Sequence, residues 1–202
     1  MERTEGPAAA PLRASVRSRL EGDRLRHVES VAETVLAIAA DAGWSLSDRD
    51  AVERAAWYHD ARKPDGPDAW RKAILDAGEE PDPWAAAYAP ELLHAQAAAV
   101  WARRRGETDP RVLAAVRHHP TAHPAWGRIG KLLYVADFAE PTRSFSEVVD
   151  AASLRKRAAE GEAGLHRSAR TVLGLRLRWV LDRGRPVHPD GWRAWNAWTE
   201  TS

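Results

Sequence analysis

Residues 25–40 read LRHVESVAETVLAIAA, and their spacing decides the fold class. Val28, Val31, Ala32, Val35, Leu36, Ile38 and Ala39 recur at intervals of three and four, the period of one buried face of an α-helix and not the alternation of a strand. Gly43 supplies the stop. His27 shares that face with Val31, Val35 and Ile38, so the helix that builds the core also carries an imidazole into it.

The same period continues outward. A second helix is expected over Asp50–Asp60, capped by Ser47 or Asp48 and finished before Pro64. Residues 64–90 hold Pro64, Gly66, Pro67, Gly78, Pro81, Pro83 and Pro90, which predicts a looped connection with one short helix at about Ala69–Ala77, serving as a lid or rim. Further helices are predicted over Glu91–Arg104, Pro110–His119, Gly127–Phe138, Glu147–Ala159 and Glu162–Asp182. The chain closes on GWRAWNAW, where Trp192, Trp195 and Trp198 read as a terminal helix docking on the bundle or on a second subunit of a homodimer. No alternating strand pattern of convincing length and no internal repeat is present. The expected fold is all-α, one helical domain over residues 12–202 behind a flexible tail of residues 1–11.

Composition narrows the function classes. Thirty basic residues stand against 29 acidic ones, and 44% of the 202 residues are hydrophobic, so net charge gives no support to a nucleic-acid partner. No apolar run approaches the roughly 20 residues of a membrane span, and the first residues lack a secretory apolar region. A cytoplasmic protein with no membrane partner is expected. With no cysteine in the chain, any metal must be held by His, Asp or Glu.

Several of the eight histidines fall on apolar faces. His59 follows Val52, Ala55 and Ala56; His94 precedes Ala97, Ala98 and Trp101. In the doublet His118-His119, Val112 and Val116 mark the inward face and select His119. Asp137, four residues after Leu133, and Asp60, beside His59, are carried inward too. Buried carboxylates call for cations. His27, His59, Asp60, His94, His119 and Asp137, drawn from five helices, form the donor set expected for one or two divalent ions such as iron or manganese.

On these residues the chain resembles the HD-domain metal-dependent phosphohydrolases, whose signature is a first His, an adjacent His-Asp pair and a distant Asp. It is most similar to the YqeK-type branch, which cleaves diadenosine tetraphosphate symmetrically to two ADP with a two-iron centre. The segments that carry the resemblance are HVESVAE, YHDARK, PELLHA, AVRHHPT, KLLYVADFAEPTR and VHPDGWRAWN, spanning about Leu12 to Asn196. Departures are Ala61-Arg62-Lys63 where Ile-Ala-Lys is usual, Ala95 for a glycine, and Pro120 after the fourth histidine.

The resemblance implies an HD-domain bundle with a buried dinuclear site and a small-molecule nucleotide as partner. His27, His59, Asp60 and Asp137 would hold one metal, with Asp60 bridging to a second held by His94 and His119. Asp60 and Lys63 are the implied catalytic residues. Lys63, His118 and Arg143 are candidates for the polyphosphate, with His123, Arg128 and Lys131 behind them. Core packing or an interface is the expected use of any one tryptophan, with Trp70, Trp84 and Trp126, in the loop-rich parts, as the candidates to stack a base. Three alternatives remain open: another nucleotide phosphohydrolase, an HD-type two-iron oxygenase, and a non-catalytic binding module.

Overall fold

The computed structural model describes residues 9–142 and 150–198. These form eleven α-helices with no strand among the described residues. They are α1 (Ala9–Arg17), α2 (Gly22–Asp41), α3 (Leu46–Tyr58), α4 (Pro67–Leu75), α5 (Pro83–Tyr88), α6 (Leu93–Arg104), α7 (Pro110–His118), α8 (Arg128–Ala139), α9 (Ala151–Ala158), α10 (Glu162–Leu181) and α11 (Pro189–Ala197). The all-α expectation holds. No helix among the described residues is long and apolar enough to cross a membrane.

α2 buries the periodic face read from the sequence, Val28, Val31, Ala32, Val35, Ile38 and Ala39, and the chain turns at Gly43 with φ +69°, a conformation glycine adopts without steric cost. α2 packs on α3 and α8; α3 and α8 also meet α7, and α10 covers α8 and α9. The core between them is continuous from Leu12 to Trp198. α8 lies at its centre, with Ile129, Leu132, Leu133, Tyr134, Val135 and Ala136 buried.

α3 starts earlier than its apolar spacing predicted. Ser45 Oγ accepts the Asp48 N–H at 3.2 Å, so Ser45 is the cap, in place of Ser47 or Asp48. The helix is enclosed on nearly every side, and its buried charges are matched across the bundle. Asp48 pairs with Arg111 at 2.7 Å and with Arg128, Glu53 with Arg13, and Arg54 with Glu107 at 2.7 Å. Burying ions is tolerable only when they are paired. Because those partners lie elsewhere in the chain, the helix shows no simple apolar stripe.

The connection over residues 64–90 contains two helices where one was expected. Asp82 Oδ1 accepts the Ala85 N–H at 2.7 Å and Pro83 opens α5, an arrangement in which proline starts a helix instead of breaking one. Trp70, Ile74 and Ala85 of α4 and α5 close a second apolar cluster with Leu93, Ala97 and Val100 of α6. α1 begins at Ala9, inside the stretch expected as tail, and buries Leu12 and Val16. α9 begins at Ala151, capped by Asp150. Residues 1–8, and residues 147–149 of the helix predicted from Glu147, lie outside the described residues.

Candidate metal centre

Five helices bring the six expected side chains together. His27 comes from α2, His94 from the first turn of α6 and Asp137 from the last turn of α8. His59 and Asp60 follow directly on the end of α3, and His119 on the end of α7. All are buried except His27, whose side chain is 13% exposed.

Two groups share one carboxylate. His27 Nε2 lies 3.1 Å from Asp137 Oδ1 and 3.4 Å from His59 Nε2; His59 Nε2 in turn stands 3.8 Å from Asp137 Oδ1 and from Asp60 Oδ2. On the other side of Asp60, Oδ1 faces His94 Nε2 at 3.2 Å and His119 Nε2 at 3.4 Å. The two groups thus meet at Asp60.

The hydrogen bonds fix which ring nitrogens are available. His59, His94 and His119 each direct Nδ1 at the carbonyl three residues back, on Ala56, Glu91 and Val116. A carbonyl can only accept, so Nδ1 carries the proton and the neutral ring turns a bare Nε2 inward. His94 Nε2 and His119 Nε2 then confront each other at 3.2 Å with no proton to share, and buried Asp60 Oδ1 has no hydrogen bond. Converging lone pairs and an unsatisfied carboxylate oxygen fit a divalent cation, the one class of group that satisfies all of them together.

Electrostatics agree with this arrangement. Burial pushes His59 down to about 3, against the pull of Asp60 and Asp137. Burial likewise lowers His119, outweighing the pull of the neighbouring Asp60 and Asp137 carboxylates. Burial tends to raise Asp60, but His59, His119, His94 and Lys63 outweigh it and hold the carboxyl well below the usual range. Neutral histidines and ionised aspartates are the protonation states that bind metal.

Two flanking residues went unassigned in the sequence. Buried Glu140 places Oε1 3.0 Å from His27 Nδ1, and is itself held by the N–H and hydroxyl of Thr142 at 2.6 and 2.7 Å. Burial would raise its carboxyl, but bonds to Thr142, Ser30 and His27 lower it on balance. Arg176 of α10 donates from Nη2 to Asp137 Oδ2 at 2.6 Å. Glu140 stands in the quoted AEPTR motif three residues after Asp137, which was an available signal. Arg176 sits among several arginines of one helix, and nothing local distinguishes it.

Of the phosphate candidates, Lys63 lies at the centre, with Nζ 2.8 Å from Asp60 Oδ2. His118 points elsewhere: Nδ1 is 3.4 Å from Asp190 Oδ2, its ring 4.5 Å from that of His123, and burial together with His123 pushes it down to about 4. His118, His123 and Asp190 present donor atoms within 4.8 Å of one another, a separate group from the six. Arg143 lies outside the described residues. Arg128 is spent on Asp48 and on the Trp44 ring, and Lys131 on His166 and the Trp198 ring.

For Trp70 and Trp126 core packing, the expected use of any one tryptophan, holds, and base stacking does not. Trp70 is buried with Nε1 donating to Arg62 O at 2.6 Å, and Trp126 is buried against Tyr134 and Trp198, so neither ring is open to a base. Trp84 packs on Tyr88 and His188. Trp198 and Trp195 dock on the bundle, whereas Trp192 is 54% exposed.

Comparison with known proteins agrees with the geometry. The HD domain family model matches residues 24–168. A symmetrical bis(5'-nucleosyl)-tetraphosphatase of Bacillus subtilis is 30% identical over 91% of this chain and 93% of its own. That of Halalkalibacterium halodurans is 29% identical over 90% and 91%. The fold matches an HD superfamily hydrolase of Clostridium acetobutylicum, described as involved in NAD metabolism, with a TM-score of 0.82 at 23% identity over 96% of this chain and 98% of that one. The chain belongs to the HD-domain family of metal-dependent phosphohydrolases.

Proposed function

We propose that this protein hydrolyses dinucleoside tetraphosphates symmetrically, diadenosine tetraphosphate to two ADP, at a centre of two divalent ions, iron or manganese. The observation that carries the reading is the Asp60 carboxylate, one oxygen turned to His94 and His119 and the other toward His59. A shared carboxylate between two sets of imidazoles suits a pair of ions. His27, His59, Asp60 and Asp137 would hold one, and Asp60, His94 and His119 the other.

Bound ions supply an activated water and offset charge on the transferred phosphoryl. The protein's own groups do the rest. Three backbone carbonyls fix the imidazole tautomers before substrate arrives, so no reorientation is needed during turnover. Lys63, its side chain 41% exposed, reaches from solvent to Asp60 and is placed to meet a phosphate oxygen. Water oxygen joins one of the two central phosphorus atoms, the central P–O–P bond breaks, and each half leaves as a nucleoside diphosphate.

The relatives named as symmetrical tetraphosphatases support the substrate class and the position of cleavage. The test is anaerobic purification, metal quantification and product analysis with dinucleoside polyphosphates and mononucleotides. Two ADP per diadenosine tetraphosphate, with about two metals per chain, is the expected result. ATP plus AMP would refute symmetrical cleavage, and oxygen consumption with substrate would replace hydrolysis by oxygenation.

A further inference from the structure

The two inward aspartates are built alike. Asp60 turns Oδ1 to His94 and His119 and gives Oδ2 to Lys63 at 2.8 Å. Asp137 turns Oδ1 to His27 and His59 and gives Oδ2 to Arg176 at 2.6 Å. Each carboxylate therefore turns one oxygen to two imidazoles and gives the other to a basic side chain, Asp60 Oδ2 standing also 3.8 Å from His59 Nε2. The aspartates are nearly inaccessible, while the basic side chains reach solvent, Lys63 at 41% and Arg176 at 23% exposure. Each basic side chain thus joins a buried carboxylate of the site to the surface, Lys63 at Asp60 and Arg176 at Asp137.

Arg176 has capacity to spare. A guanidinium offers five N–H donors in a planar fork, and among the described residues Arg176 makes one hydrogen bond, to Asp137. Its plane is held by the Tyr134 ring, 4.6 Å away, with Phe138 at 5.9 Å. A purely structural ion pair would gain from enclosing the remaining donors with acceptors. Donors left open, preorganised on an aromatic face and partly exposed beside a metal-site carboxylate, match the oxygens of a phosphate.

We propose that Arg176 is a substrate-binding residue that takes a phosphate of the nucleotide on the Asp137 side of the centre, as Lys63 does on the Asp60 side. The proposal rests on the phosphohydrolase reading above. A tetraphosphate bridge carries charge along its length, and cations on both flanks hold its two halves about the cleaved bond. In the absence of Arg176 the half on the Asp137 side is held by fewer charges, so affinity falls before chemistry does.

The experiment is calorimetric titration of ADP and of inorganic phosphate into protein loaded with manganese, comparing the unaltered chain with Arg176→Gln and Arg176→Lys, with bound metal measured in each. Glutamine keeps a donor for Asp137 and loses the charge. Arg176→Gln is expected to bind both probes at least about tenfold more weakly with unchanged metal stoichiometry, and Arg176→Lys to recover part of the loss. ADP affinity within twofold of the unaltered chain overturns the proposal, as does a loss that saturating manganese restores in full, since Arg176 would then serve Asp137 alone. If Arg176→Gln does not fold, Arg176→Lys decides by itself: weaker binding at full metal occupancy supports the role, and unchanged binding overturns it. An unaltered chain that binds neither probe overturns the phosphohydrolase reading and this inference together, an outcome distinct from failure at Arg176 only.

Discussion

The Nζ of Lys63 lies 2.8 Å from Oδ2 of Asp60, three positions before it, while Oδ1 of the same carboxylate faces His94 and His119. The turn that brings them together is pinned from outside by Arg19, which bonds Ala61 O at 3.2 Å and Asp65 at 2.8 Å. The His-Asp pair and its lysine are thus held as one unit on the end of α3.

That unit makes Lys63 a separable part of the site. Lys63→Gln should lower turnover of diadenosine tetraphosphate by roughly 100-fold and leave metal content intact. Steady-state kinetics with metal analysis on the same preparation checks this; full activity would remove Lys63 from the machinery.

His94 belongs to the group on the Oδ1 side of Asp60. His94→Ala should lose one of two metals and more than about 100-fold of turnover, with the helical content unchanged by circular dichroism. Undiminished activity would contradict two metals.

Glu140 backs His27 through its Nδ1 at 3.0 Å. Glu140→Gln should weaken metal binding by about 10- to 100-fold, read as the free-metal concentration at half occupancy. The variant should recover activity at saturating metal, because His27 itself remains.

Away from the site, Glu107 and Arg54 form a fully enclosed pair at 2.7 Å, Glu107 also accepting the Asp109 N–H at 2.9 Å. Glu107→Ala leaves the buried Arg54 guanidinium with only the half-exposed Asp50 as its partner and should cost about 3 kcal/mol, lowering Tm by on the order of 10 °C. Specific activity of the folded fraction should be unchanged.

Acid should destabilise the metal-free protein. His59 is held neutral to about 3 in the fold, whereas an unfolded histidine protonates near about 6.5. Its contribution is full above that unfolded value and is lost as pH falls toward 3, because the unfolded chain binds the proton first. His118, lowered to about 4, acts in the same direction. Asp60, held well below its ordinary 3.8, adds a loss at still lower pH. Urea midpoints of chelator-treated protein should therefore fall steadily from pH 7 to pH 5; a flat profile would contradict the neutral buried imidazoles.

Much of the site was legible because helical phase is local. Val31, Val35 and Ile38 fixed where His27 points, and Val112 with Val116 separated buried His119 from partly exposed His118. The start of α3 was misplaced because its buried Asp48, Glu53 and Arg54 interrupt the apolar stripe, and α5 was missed because Pro83 opens a helix there.

By itself, then, the sequence determined the helical class, the faces that carry imidazoles inward, and the His-Asp pair at a helix end. Tertiary structure alone decided which oxygen of Asp60 meets which imidazoles, that Glu140 backs His27 across 113 positions, and that Arg176 reaches Asp137 across 39. Periodicity sets the direction of a side chain about its own helix axis. Its partner is set by how separate helices pack, and no local spacing records that.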